Sequence, residues 1–285
     1  DYAFYGTPIQ TIVIPDAVTS IGNSAFRGTS IQTIVIPDAV TSIGSYAFAN
    51  AKNLTAVMFG NGLETLETYS FQNCEKLASA DLSNTKIKTL SSNTFSGCKK
   101  LGSALLPDSL TKIDSSAFSS CEALTSIVLP PNLTTLNGAV FYNSGLTSVY
   151  IPKSLTTVSS GGSYAFKGVA LNKVTFEEGI TTIPAHLFDD SLLSGITIPE
   201  TVTSIGNYTF YNCVSLKSIT IPNGVTSIGK YAFSICEAVE TLTFANGLTE
   251  ISDYAFSGMK SIERVVLPDT VQSIGYSAFN NCVSL

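Results

Sequence analysis

The groups in this chain that could carry chemistry are few: six cysteines, one histidine, two adjacent carboxylate pairs and a set of tyrosines. Thiolates, imidazoles and carboxylates can hold a metal or drive acid–base and nucleophilic steps when they converge. The cysteines do not have that spacing. Cys74, Cys98, Cys121, Cys213, Cys236 and Cys282 each stand three residues after a phenylalanine, and no CxxC pair occurs. Elsewhere the same slot holds Thr29, Ala51, Ser144, Val169 and Met259, so it calls for a small, mostly apolar side chain. A free buried thiol fits it well. Neighbouring side chains in a ladder run parallel rather than toward each other, which argues against disulfides, and the thiols therefore do not report a redox compartment.

His186 lies beside Asp189 and Asp190, an arrangement that invites an acid–base reading. A histidine-rich metal site is out of reach with one imidazole. His186 stands two residues before Phe188, where other repeats carry Tyr2, Tyr46, Tyr69, Tyr164, Tyr208, Tyr231 and Tyr254, so it reads as one more ring of a flanking stripe. That tyrosine stripe could receive a partner or a sugar, or lie over its neighbours with wet hydroxyls. Glu177-Glu178 has no base or nucleophile nearby in the repeat. No phosphate-binding glycine loop, GxSxG or HExxH is present. Nothing supports catalysis, and no cofactor is expected.

All these residues are positioned by one periodicity. Phe4, Phe26, Phe48, Phe71, Phe95, Phe118, Phe141, Phe166, Phe188, Phe210, Phe233, Phe256 and Phe279 recur every 22 to 25 residues. A fixed period of that length marks a solenoid, in which each coil buries its apolar face only against its neighbours. Residues 216–236 show one coil. Leu216, Ile219 and Ile221 alternate as a strand does, and Pro222 ends the strand because it lacks an N–H. Val225 and Ile228 then form a brief extended segment on the opposite wall. Twelve such frames precede Leu285. A good N-cap residue stands three before the Phe in nine of thirteen repeats, and Gly or Asn two after it in ten. That pairing predicts one short helical turn per coil, closed by a left-handed residue.

The pattern L-x-x-[IV]-x-[IL]-P-x-x-[VL]-x-x-I-x-x-x-A-F-x-x-C resembles the BspA-like (Treponema-type) leucine-rich repeat family from end to end. The resemblance implies a right-handed leucine-rich repeat solenoid of about twelve coils, mostly β, with a parallel concave sheet. It also implies a surface protein of host-associated bacteria or some protists, with adhesion to host proteins in several members, and no enzyme. One coil departs: Leu77 to Leu90 lacks the proline and holds Asp81-Leu82-Ser83-Asn84-Thr85. A longer spacing falls at Ser159-Ser160-Gly161-Gly162, where the extra residues are expected to bulge outward.

Composition narrows the partners. Charged residues make up 13% and the net charge is −6, without like-charge runs, which disfavours nucleic acid and anionic membranes. No apolar stretch is long enough to span a bilayer. Residues 1–285 read as a single repeat domain cut mid-repeat at both ends, a fragment of a longer extracellular or cell-surface protein. Outward positions of the first strand are the candidate contacts: Val13, Val35, Met58, Asp81, Leu105, Val128, Tyr150 and Lys173. An apolar strip rimmed by hydroxyls suits a protein ligand, either host extracellular matrix or another surface protein, with a glycan as the alternative. The competing expectation is a spacer rod with no ligand of its own.

Overall fold

In the computed structural model, which describes residues 1–159 and 164–285, the chain winds as a parallel β-solenoid of about eleven turns. The insertion expected to bulge at residues 160–162, and the capping position Ser163, lie outside the described residues. The chain divides into two compact units, Asp1–Leu146 and Thr147–Leu285. The twelve coils counted from the leucine frames are not all closed: Ile9 to Ile14, Leu193 to Ile198 and Ile262 to Leu267 form no first-wall strand.

In the first unit the second wall forms the longer sheet. Ser20–Ile21, Ser42–Ile43, Thr65–Leu66, Thr89–Leu90, Lys112–Ile113 and Thr135–Leu136 pair in parallel and in sequence order. The first wall is shorter and interrupted, with Thr33–Val35 on Ala56–Met58 and Ser79–Asp81 on Ser103–Leu105. These ladders are three residues long with or without a proline beyond them: Pro37 and Pro107 follow two of the strands, Gly60 and Ser83 the others. In the second unit Thr182–Ile183, Ser204–Ile205, Ser227–Ile228, Glu250–Ile251 and Ser273–Ile274 make the second wall. Its first wall holds two pairs, Ser148–Ile151 on Lys173–Phe176 and Ser218–Ile221 on Thr241–Phe244.

The expected helical turn is absent from the described residues, and the backbone shows why. Around Phe48 the amides alternate. Those of Tyr46, Phe48 and Asn50 donate to Thr68, Ser70 and Gln72 of the next coil at 2.7–3.1 Å. Those of Ala47, Ala49 and Ala51 donate three residues back, to Gly44, Tyr46 and Phe48. Half the donors therefore run along the solenoid axis, which no α-helix permits. The alternation requires left-handed φ at two positions per coil. One is the residue two after the Phe, as expected, in all thirteen coils including Ser120, Asp190 and Ile235. The other is the residue two before it, for example Tyr46 (φ 58°), Tyr208 (56°) and Tyr231 (57°). A left-handed residue at the start of the segment prevents a helix from forming.

The N-cap residues do different work in this geometry. Asp1 Oδ1 accepts from the Asn23 amide (2.7 Å), Asn23 Oδ1 from the Ser45 amide (2.8 Å), and Asn207 Oδ1 from the Lys230 amide (2.8 Å). Each side chain thus satisfies the equivalent backbone donor of the next coil. The approach is close enough to exclude a side chain before it. A Cβ on Gly229 would sit 2.6 Å from Asn207 Oδ1 and 2.7 Å from its amide nitrogen.

Inside, the phenylalanines stack. In the first unit Phe48 and Phe71 are 5.0 Å apart, and Phe95 and Phe118 5.7 Å. In the second unit Phe210 and Phe233 are 4.9 Å apart and nearly parallel. These rings are fully buried. Parallel ring pairs contribute about 0.5–1.5 kcal/mol each beyond the area they bury.

Candidate functional site

The alternation of the first-wall strands decides what faces outward. In Thr33–Val35 the middle residue Ile34 is buried and its neighbours are exposed, and the same pattern holds in Ala56–Met58, Ser103–Leu105 and Ser126–Val128. Large apolar side chains therefore stand in solvent: Val35 is 57% exposed, Met58 66%, Leu105 51% and Val128 68%. Register places Val35 beside Met58 and Asp81 beside Leu105. Val13 is the most exposed of the set, at 87%, but lies in the first frame, which forms no ladder.

The remaining two candidates belong to the second unit and do not share a column. Tyr150 pairs in register with Thr175 and is half-buried, whereas exposed Lys173 pairs with Ser148. In the second unit the equivalent position carries exposed Thr175, Thr197, Thr220 and Thr243, and then Val266. Thr243 donates its hydroxyl to Thr220 at 3.1 Å.

The tyrosine flank is packed rather than open. Tyr164, His186, Tyr208, Tyr231 and Tyr254 form one stack with ring centroids 5.2, 5.0, 4.8 and 4.7 Å apart and planes within 12°. His186 takes a tyrosine's place, as the spacing predicts. Ring faces turned to each other leave a sugar no free face between them. In the first unit Ser24 interrupts the stripe, and Arg27 lies over the Tyr46 ring at 4.9 Å.

The acid–base temptation resolves into an unusual structural group. His186 Nδ1 lies 2.8 Å from Asp189 Oδ2, and Asp189 is fully buried with Oδ1 lacking a partner. Burial pushes the Asp189 carboxyl up to about 6, partly offset by His186. Asp190 turns to the surface, accepting from Lys167 Nζ (3.0 Å) and Asn212 Nδ2 (2.7 Å). No nucleophile, third ligand or cleft joins them: among the described residues no three His, Cys, Asp or Glu gather to hold a metal. The sequence signals the pair but not the depth of Asp189, because that position varies from Arg27 to Ala49 between coils.

The thiols are where the repeat puts them, with a partner the sequence does not reveal. Each Sγ lies within hydrogen-bond reach of the Phe carbonyl of the preceding coil: Cys74 to Phe48, Cys98 to Phe71, Cys121 to Phe95, Cys213 to Phe188 and Cys236 to Phe210, all 3.2 Å. These five are buried and unbridged, and Cys282 is half-buried. Burial raises the Cys74, Cys121 and Cys236 thiols well above their ordinary range, which makes them poor nucleophiles.

Among known proteins, the BspA type leucine rich repeat region matches in six copies over residues 1–101, 52–162 and 159–285. A leucine-rich repeat protein from Bacteroides ovatus is similar at 25% identity and TM-score 0.63, over 99% of this chain and 67% of that one. A leucine rich cell surface protein from Faecalibacterium prausnitzii is similar at 25% identity and TM-score 0.50, over 100% of this chain and 73% of that one. The pneumococcal vaccine antigen PcpA shares the fold at 23% identity and TM-score 0.54, over 97% of this chain and 69% of that one. No curated protein matches the chain.

Proposed function

Because this chain belongs to the family of BspA-type leucine-rich repeat proteins, we propose that it is a non-catalytic recognition module of a cell-surface or secreted protein, binding a protein partner through its first wall. One observation carries the reading: Val35, Met58, Leu105 and Val128 stand half or more exposed in strands whose neighbouring residues are Ser, Thr and Ala. An apolar column of that kind, broken only at Asp81, costs solubility unless something covers it. The surface location draws support from the similar Faecalibacterium protein, which is described as a cell surface protein. No helix among the described residues is long and apolar enough to cross a membrane.

The experiment is a binding screen of the chain against matrix proteins and glycans, beside a variant carrying Val35→Lys, Met58→Lys, Leu105→Lys and Val128→Lys. These side chains point outward, so the variant is expected to keep its circular dichroism and melting temperature. Loss of a bound protein in the folded variant supports first-wall recognition. Survival of binding in that variant sinks it. A chain that binds nothing favours the spacer reading, for which the Thr220–Thr243 hydroxyl pair of the second unit is the supporting observation.

A further inference from the structure

The coil that departs from the repeat builds a depression on the first wall of the first unit. In the two coils that follow, Pro107 and Pro130 come after the strand; here Ser83 takes that place. Asp81 Oδ1 accepts from both the Ser83 amide (3.0 Å) and the Ser83 hydroxyl (2.6 Å), folding the corner back on its own strand. Beside it lies a hollow of ≈350 Å³ whose lining includes Ser83, Gly102, Ala104, Leu105, Asp108 and Val128.

Two of these positions are smaller than the repeat requires. Ala104 and its register partner Ala80 occupy the inward slot that holds Ile34, Val57 and Ile127 in other coils. Gly102 answers no demand of the fold: its φ is not left-handed, and a Cβ there would meet nothing closer than 3.8 Å. Its bareness relieves no clash, and it stands in the wall of the hollow. Charge is one-sided as well. Asp81 and Asp108 are exposed, and among the described residues neither forms an ion pair. The neighbouring cations Lys99 and Lys100 precede the strand, whereas Asp108 follows it.

We infer that this hollow is the specificity pocket of the first wall, taking an apolar side chain of an extended peptide segment whose nearby Lys or Arg meets Asp81 and Asp108. The inference rests on the first wall being the recognition surface. It names the partner by chemistry: a cationic–aliphatic segment of a protein, complementary to a chain of net charge −6.

Two blocked synthetic peptides test it, Ser-Thr-Leu-Thr-Arg-Ser-Thr and the same peptide with Glu for Arg. Each is titrated into methyl-labelled protein while the Leu105 and Val128 methyl signals are followed. The Arg peptide should shift both signals saturably, and the Glu peptide should bind about tenfold more weakly. Asp81→Asn with Asp108→Asn should erase that difference, and Gly102→Val should block both peptides while Gly102→Ala leaves the fold unchanged. Equal binding of the two peptides, no shift at millimolar peptide, or indifference to Gly102→Val overturns the inference. A protein captured in the screen separates this outcome from the broader reading. If its binding is lost with Val35→Lys and Met58→Lys but is untouched by the Asp81, Asp108 and Gly102 changes, first-wall recognition stands and the pocket does not.

Discussion

At Asp189 a fully buried carboxyl shares one oxygen with His186 and leaves the other without a partner. Its folded pKa of about 6 lies above the ordinary 3.8, chiefly because burial disfavours the charged form, with Asp190 adding to the rise and His186 and Tyr164 opposing it. The folded chain therefore holds this proton more tightly than the unfolded chain. The stabilisation is fully present below the unfolded value and is lost as pH rises through about 6. The swing amounts to about 3 kcal/mol. Asp189→Asn should flatten the pH dependence of urea stability between pH 4 and 6 and cost little at pH 7. A variant as pH-dependent as the parent would show that the carboxyl is not the source. Ile235 carries a different strain, a β-branched residue at φ 62° where the neighbouring coil has Asn212 at 54°. Ile235→Asn should raise stability by about 1 kcal/mol, read by thermal melting, because left-handed backbone penalises branching at Cβ. An unchanged or lower melting temperature would mean that the half-buried side chain contributes more than the strain costs.

The coil is the element on which sequence and structure differ most instructively. The Phe period fixes the repeat and the inward ring, and Gly or Asn after it marks the left-handed residue in most coils. Yet the helical turn expected between Asn207 and Asn212 is a run of β-turns with amides alternating between its own coil and the next. The cause is a degeneracy of residue types. Asp, Asn and Ser at the first position suit an N-cap and equally suit accepting an amide from the adjacent coil, as Asn207 does from Lys230. Tyr208 gives no local warning, because its left-handed φ goes with the amide bond it donates to Lys230 of the next coil, and the same φ occurs at Ser116 and Ala139, which carry no ring. The buried rings follow the ordinary rule for cores: Phe118→Ala should cost about 3–5 kcal/mol in urea unfolding. The inter-coil ladder makes a sharper prediction. Gly229→Ala drives a Cβ into the Asn207 amide and carboxamide oxygen, and should destabilise by about 1–3 kcal/mol. A silent Gly229→Ala would mean that the coils separate there at no cost.

Across the molecule the repeats are uniform inside and unequal outside. Each unit is held by stacked phenylalanines and short parallel ladders, so the same interior supports either surface. The first unit displays Val35, Met58, Leu105 and Val128 on its first wall, while the equivalent column of the second carries Thr175, Thr197, Thr220 and Thr243 before Val266 in the last frame. The alternation that exposes them was legible in the strand frame. The hollow beside Ser83 was not, because it arises from missing atoms at Gly102 and Ala104 and from a corner turned by Asp81, none of which follows from periodicity. The most direct measurement of first-wall recognition uses the chain's two methionines. Met58 is 66% exposed on the first wall, and Met259 is fully buried. With both labelled at the methyl carbon, titration of a captured partner should shift or broaden the Met58 signal and leave Met259 in place. Saturable binding with both methionine signals unmoved would contradict the account.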